Sequence, residues 1–140
     1  MSPALAGDEA RRRFAAARVA RLATVSAEGR PHLVPCTFAL DGDCVYVAVD
    51  HKPKTTANLK RLRNIAACPD VAMLADHYDE DWQALWWVRA DGVASVLDEP
   101  AAKSRPVISL SEKYPQYAER PPEGPVIAIT VTAWSGWSAR

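Results

Sequence analysis

Lys52 and Lys54, followed closely by Thr55, Thr56 and Asn58, bring two ammonium groups, two hydroxyls and an amide into one short stretch. No acidic residue falls between His51 and Pro69, yet Lys60, Arg61 and Arg63 lie there too, in a chain whose formal net charge is zero. A Pro-punctuated turn with such donors, placed ahead of an amphipathic segment, suits a single anion, and a phosphate best. Charged donors, hydroxyls and the free N–H groups of a helix start converge on it, and the helix dipole adds its attraction. The other reading of a charge run is a solvated helix face. That reading takes Lys60, Arg61 and Arg63, which lie deeper in the segment, and leaves Lys52 to Asn58 as the candidate site.

Other chemistry finds less support. The chain has no GxGxxG, GxxxxGK[ST] or GxSxG, so dinucleotide, P-loop and serine-hydrolase readings lack their structural tools. His32, His51 and His77 show no HxH or HxxxH spacing, and no metal site is expected. His32 reads as a hydrogen-bonded strand residue, and Asp79, Glu80 and Asp81 as solvated loop carboxylates. Cys36, Cys44 and Cys68 are odd in number, lie in apolar contexts and lack CxxC spacing, which suits reduced thiols in a cytoplasmic protein. Five tryptophans are more telling. On a strand, Trp86 and Trp87 point to opposite faces, so one can fill the core while the other meets a partner, a ligand or solvent. Trp137, beyond the last strand, suits an interface or a pocket wall.

The elements that must position these groups follow from periodicity and turn chemistry. Ala10 to Arg21 (ARRRFAAARVAR) reads as a helix, with Asp8 as N-cap and Phe14, Ala17 and Val19 on the buried stripe. Leu22 to Val25, His32 to Leu40 and Cys44 to Val49 read as three antiparallel strands, joined by the SAEGRP and Asp41-Gly42-Asp43 turns. The middle strand is apolar on both faces, which suits a closed barrel or a dimer interface. A helix from Thr55 to Ala67 stops at Pro69, Val71 to Ala75 is a strand, Asp76 to Asp81 an acidic loop, and Leu85 to Val96 one or two strands. Pro100 opens a helix through Lys113, and Val126 to Ala133 is the clearest strand. Hairpins rather than βαβ crossovers predict an antiparallel barrel with flanking helices.

At 140 residues the chain is expected to be a single domain, residues 1–20 carrying the N-terminal helix and 21–137 the barrel. Lys plus Arg equals Asp plus Glu at 17 each, which argues against a nucleic-acid or membrane partner. No run approaches the ~18 apolar residues of a membrane span.

The runs ARLATVSAEGRPHLVPCTFAL, DGDCVYVAVD and HKPKTTANLKRLRNIAACPDVAML, with the late strand ending in Trp, resemble the split β-barrel flavoproteins of the pyridoxamine 5′-phosphate oxidase-like superfamily. They are most similar to the actinobacterial branch that uses the deazaflavin coenzyme F-420. The resemblance spans roughly Arg21 to Trp137. It implies an FMN-binding-protein-like fold and a homodimer, with the cofactor in a groove between subunits and its phosphate on the turn of Lys52, Lys54, Thr55, Thr56 and Asn58. It implies that Val34, Pro35 and Thr37, and Ala48, Val49 and Asp50, line the ring, while Trp86, Trp87, Arg89 and Trp137 form the groove wall. The activity implied is hydride transfer between F-420 and an unsaturated small molecule, with no catalytic side chain named and Tyr46 or Tyr78 as proton donors to consider. Pro53 between the two lysines, with no arginine in the turn, departs from the family pattern where a polyglutamate tail would bind. The alternatives are an FMN-binding oxidase or reductase on the same barrel, and a non-catalytic module that binds a cofactor or a tetrapyrrole.

Overall fold

The computed structural model describes residues 4–49 and 56–140, with the side chains of 56–59 left aside. It contains α1 (Gly7–Ala16), β1 (Ala20–Val25), β2 (Pro31–Cys36), β3 (Ala39–Asp41), β4 (Cys44–Ala48), α2 (Thr56–Ala67), β5 (Asp70–His77), a 3-10 turn (Trp82–Ala84), β6 (Trp86–Leu97), α3 (Pro100–Lys113), α4 (Pro115–Glu119) and β7 (Val126–Ser138). The seven strands form one antiparallel sheet in the order β2-β1-β5-β6-β7-β4-β3.

That order places β2 and β3 at opposite edges although they are consecutive in the chain. Only Thr37 and Phe38 connect them, and the step from Cys36 to Ala39 reaches at most about 11 Å. The sheet must therefore curl until its two edges approach at that link, which gives a split β-barrel in which β2 and β3 are joined by the chain and not by pairing. The expected continuous strand from His32 to Leu40 is thus corrected. Its apolar alternation is real, but the two halves pair with different neighbours, β1 and β4. Pro31 and Pro35 on edge strand β2 lack the N–H groups that would recruit a further strand.

Local chemistry sets the turns. Gly29 sits at φ 83 in the β1–β2 hairpin, where its N–H donates to the Ser26 carbonyl at 2.9 Å. Gly42, at φ 62, opens the tight β3–β4 turn, a position that disfavours side chains.

The barrel interior holds Leu22, Phe38, Val45, Val47, Met73, Val88, Ile127 and Ile129, all nearly inaccessible to solvent. α1 plugs it with Phe14, whose ring centroid lies 4.6 Å from Phe38 and 5.3 Å from Trp134. This helix begins and ends earlier than the sequence suggests. Ala6 is its N-cap, Asp8 lies in its first turn, and extended backbone resumes at Ala17, so Arg18 and Arg21 leave the helix and Val19 is exposed. β5 likewise runs on through Asp76 and His77, because both pair with β6. α2 contributes Leu62 and Ile65 to the core, and Asn64 Nδ2 donates to Thr24 Oγ1 at 3.1 Å between two buried side chains. α3 and α4 cover the outer side of β3 and β4 through Leu110, Tyr114 and Tyr117. Among the described residues no helix is long and apolar enough to cross a membrane.

Candidate functional site

Strand register decides which side chains share a surface. Across β2, β1, β5, β6 and β7 one outward row reads Pro35, Arg21, Leu74, Arg89 and Ser135. The row beside it carries Leu33, Ala23, Ala72, Asp91 and Ala133, and at the other side Asp76, Trp87 and Trp137 stand in line. Among the described residues, none of the helices' principal contacts falls on this outer face: α1 and α2 pack the barrel core and α3 with α4 sits over β3 and β4. Leu33 is 65% exposed and Leu74 37%, so two large apolar side chains stand open on this sheet face.

An open groove of about 490 Å³ runs along this face, walled by Arg21, Leu33, Leu74, Trp87 and Arg89, with Asp76 and Tyr78 at one end. Each of the two guanidiniums has a carboxylate neighbour across a half-exposed ion pair. Arg21 Nη1 lies 3.8 Å from Asp76 Oδ1, and Arg89 Nε lies 3.1 Å from Asp91 Oδ1. The groove therefore combines an indole face, aliphatic walls and two arginines, each beside an aspartate, with room for a planar ring system.

The residues expected to form the site fall into separate groups. Asp50, Lys52, Lys54 and Thr55 lie outside the described residues, and Thr56 and Asn58 are described only as the backbone start of α2. Pro35 and Trp87 share the outer face, and Trp137 stands opposite Trp87 across the β6–β7 pairing. Val34 instead packs against the barrel core, and Val49 is only 2% exposed within it. Ala48 packs against the Ala39, Leu110 and Tyr114 cluster beneath α3, and Thr37 Oγ1 lies 2.9 Å from the Tyr117 hydroxyl. Trp86 points inward, against the core and under the Arg13 guanidinium at 5.6 Å, so the Trp86–Trp87 pair divides between core and groove.

Two sequence readings are corrected here. Arg61 is not on a solvated face; it is 7% exposed, on the side of α2 that carries Asn64 and Ile65, while Lys60 and Arg63 are exposed as expected. His32 Nδ1 is buried with no hydrogen-bond partner among the described residues. Burial first, then the charges of Lys60 and Arg61, holds the His32 imidazolium below its usual pKa, so it stays neutral near pH 7.

The remaining polar groups are quiet. Burial pushes the Cys36 thiol up to about 11, which keeps it protonated and unreactive at neutral pH. Burial also raises the Tyr46 phenol, with Cys44 and Asp41 beside it, so its hydroxyl belongs to the β3–β4 hairpin. Tyr78 is 73% exposed at the groove's end. The groove residues Arg21, Leu33 and Leu74, and Tyr117 on α4, were missed from sequence. Strand alternation could have placed the first three on one face once β1, β2 and β5 were known to be neighbours.

Residues 6–138 match the family model described as PNPOx_N, pyridoxamine 5′-phosphate oxidase. No curated protein matches the sequence. Solved structures share the fold at low identity. A conserved hypothetical protein from Mycobacterium tuberculosis superposes with a TM-score of 0.78 at 23% identity, covering 97% of this chain and 86% of that one. A FAD-binding protein from Mesorhizobium loti gives 0.77 at 21% identity over 100% of this chain and 99% of that one. The heme storage protein HutZ of Vibrio cholerae gives 0.70 at 16% identity over 91% and 92%.

Proposed function

The chain belongs to the pyridoxamine 5′-phosphate oxidase family, and from that membership we propose that it is an oxidoreductase using coenzyme F-420, acting as a cytoplasmic homodimer on an unsaturated organic small molecule. The observation that carries this reading is the open groove on the outer face, about 490 Å³ in volume and walled by Trp87, Leu33, Leu74, Arg21 and Arg89. Its size and apolar walls suit a tricyclic ring, and Trp137 beside Trp87 extends the aromatic wall. A second copy laid on the same face would enclose the groove and cover Leu33 and Leu74.

When bound, the deazaflavin supplies the hydride at its own ring carbon. The chain's residues bind, orient and exclude water. Lys52, Lys54, Thr55, Thr56 and Asn58 take the phosphate in this reading, at the start of α2 where the helix dipole favours an anion. Trp87 and Trp137 fix the ring's plane, and Arg21 and Arg89 offer cations to its polar edge or to an anionic substituent of the substrate.

FMN is the second reading, favoured by the same fold in a protein described as FAD-binding. Equilibrium titration of F-420 and FMN, side by side, into wild type and Lys54→Ala separates the two. F-420 is expected to bind at micromolar concentration or better, and Lys54→Ala to weaken it by about 1.5–3 kcal/mol, the worth of one charged hydrogen bond. Tight FMN binding without F-420 binding selects the second reading, and binding of neither removes both.

A further inference from the structure

We propose that the small molecule taken by the outer groove carries a carboxylate on a planar apolar body, and that Arg89 is the residue that selects it. The inference rests on the reading above only in calling this occupant a substrate; its binding is argued from the groove itself. Three charged side chains line the groove among the described residues: Arg21, Asp76 and Arg89. Arg21 and Asp76 face each other within it, Nη1 to Oδ1 at 3.8 Å, so that end is locally balanced. Arg89 differs, because its partner Asp91 stands outside the lining. The groove thus presents one positive charge in excess, in a chain whose formal net charge is zero.

Arg89 also keeps the donors that an anion needs. Its contacts with Asp91 both run from Nε, at 3.1 Å to Oδ1 and 3.2 Å to Oδ2. Nη1 and Nη2 make no hydrogen bond among the described residues. Those two nitrogens form an edge of the guanidinium fork that can take both oxygens of a carboxylate. Trp87 lies two residues before Arg89 on β6, with the buried Val88 between them, so indole and guanidinium rise from the same face about 7 Å apart at their bases. A ring laid on the indole therefore brings a substituent on its rim within reach of the guanidinium. Leu74, paired with Arg89 across the β5–β6 register, and Leu33 supply the apolar wall for the rest of such a molecule. A cationic ligand would find only Asp76, which already faces Arg21, and a neutral one would leave the Arg89 fork without an acceptor.

The test is calorimetric titration of 2-naphthoate and its uncharged analogue 2-naphthamide into wild type, Arg89→Gln, Arg89→Lys, Asp91→Asn and Trp87→Ala, all without cofactor, with the unfolding midpoint of each protein. In wild type the carboxylate should bind about tenfold more tightly than the amide, the worth of a charged hydrogen bond discounted for exposure. Arg89→Gln should erase that preference and leave amide affinity unchanged, while Arg89→Lys, which keeps the charge without the fork, should retain part of it. Asp91→Asn removes the competing carboxylate and should widen the preference, which a purely structural Arg89–Asp91 pair would not do. Trp87→Ala should weaken both ligands alike. Equal binding of the two ligands by wild type, or a preference that survives Arg89→Gln, overturns the proposal. Binding of neither by a dimeric wild type gives the face to a second copy and overturns it as well. The F-420 and FMN titrations judge the proposed function separately: if they fail while the naphthoate preference holds, the carboxylate site stands and its occupant is not a substrate of that chemistry.

Discussion

Arg18 caps the end of α3 by donating from Nη2 to the Lys113 carbonyl at 3.0 Å, and Lys113 answers by donating from Nζ to the carbonyl of Ala17, the residue before Arg18, at 2.7 Å. With Tyr114 bonded to the Arg18 carbonyl, the α1–β1 link and the end of α3 are stitched reciprocally. The ammonium of Lys113 lies 3.7 Å from the centroid of the Phe38 ring, so the stitch also sits on the residue that closes the barrel.

This stitch makes stability depend on pH. Burial, then the nearby Arg18 charge, lowers the Lys113 pKa from 10.5 to about 8. A lysine depressed in the fold is neutral there between about 8 and 10.5 while the unfolded chain still holds its proton. The unfolded state then binds more protons, and stability rises with pH across that window; below about 8 the cost of a charged, half-buried ammonium is fully present. Cys36, raised from 9.0 to about 11, acts in the opposite direction at higher pH, so the informative quantity is the difference between wild type and Lys113→Met. Denaturant unfolding from pH 7 to pH 10.5 should show wild type gaining on the variant above about pH 8. A difference that stays level, or falls, contradicts the assignment.

How much of this was legible beforehand differs by element. α3 and the core of β7 could be read directly, because Pro100 and Pro115 bracket one and VIAITVTA has no competing pattern. The break at Thr37–Phe38 could not, since alternation continues through it and only the pairing partners change. Arg61 was misplaced for a related reason: an arginine on an amphipathic helix reads as solvated, yet its position four residues before Ile65 puts it on the core-facing side. The division of Trp86 and Trp87 between two faces was readable, but which faced the groove required the register with β5 and β7. The outer groove itself is assembled from β1, β2, β5 and β6, and no local pattern announces a surface made by four separated segments.

Gly92 sits at the register shift in β6, where its backbone runs close to β7. A Cβ there would be driven into the Thr130 carbonyl oxygen and would lie 2.8 Å from Ile129 Cγ2. A carbonyl in a paired strand cannot retreat as a side-chain tip can. Gly92→Ala should therefore destabilise by about 1–3 kcal/mol or more, read as a lower urea midpoint at unchanged m-value. A wild-type midpoint would mean that the bulge is free to relax.

Phe14 is the plug that α1 inserts between Phe38 and Trp134, and it is fully buried. Phe14→Ala should cost about 3–5 kcal/mol, the range for removing a packed aromatic. That is a large part of a small domain's stability of about 5–15 kcal/mol. Phe14→Leu, which keeps most of the volume, should cost clearly less. Equal losses would show that the ring contacts, rather than the filled space, hold α1.

Trp86 and Trp87 are adjacent in sequence and should behave as different kinds of residue. Trp86 packs against the core beneath Arg13, so Trp86→Ala opens a void and removes buried apolar area. About 3–5 kcal/mol of stability should go with it. Trp87 faces the outer groove, opposite Trp137, where truncation leaves a surface rather than a cavity. Trp87→Ala should shift stability by well under half the Trp86 loss, and instead weaken binding of F-420 or FMN by roughly tenfold, about the worth of one stacked aromatic contact. Urea denaturation and cofactor titration on the two variants give a crossed pattern if the faces are assigned correctly. Loss of stability in both with cofactor affinity intact in Trp87→Ala would remove the groove from the binding site.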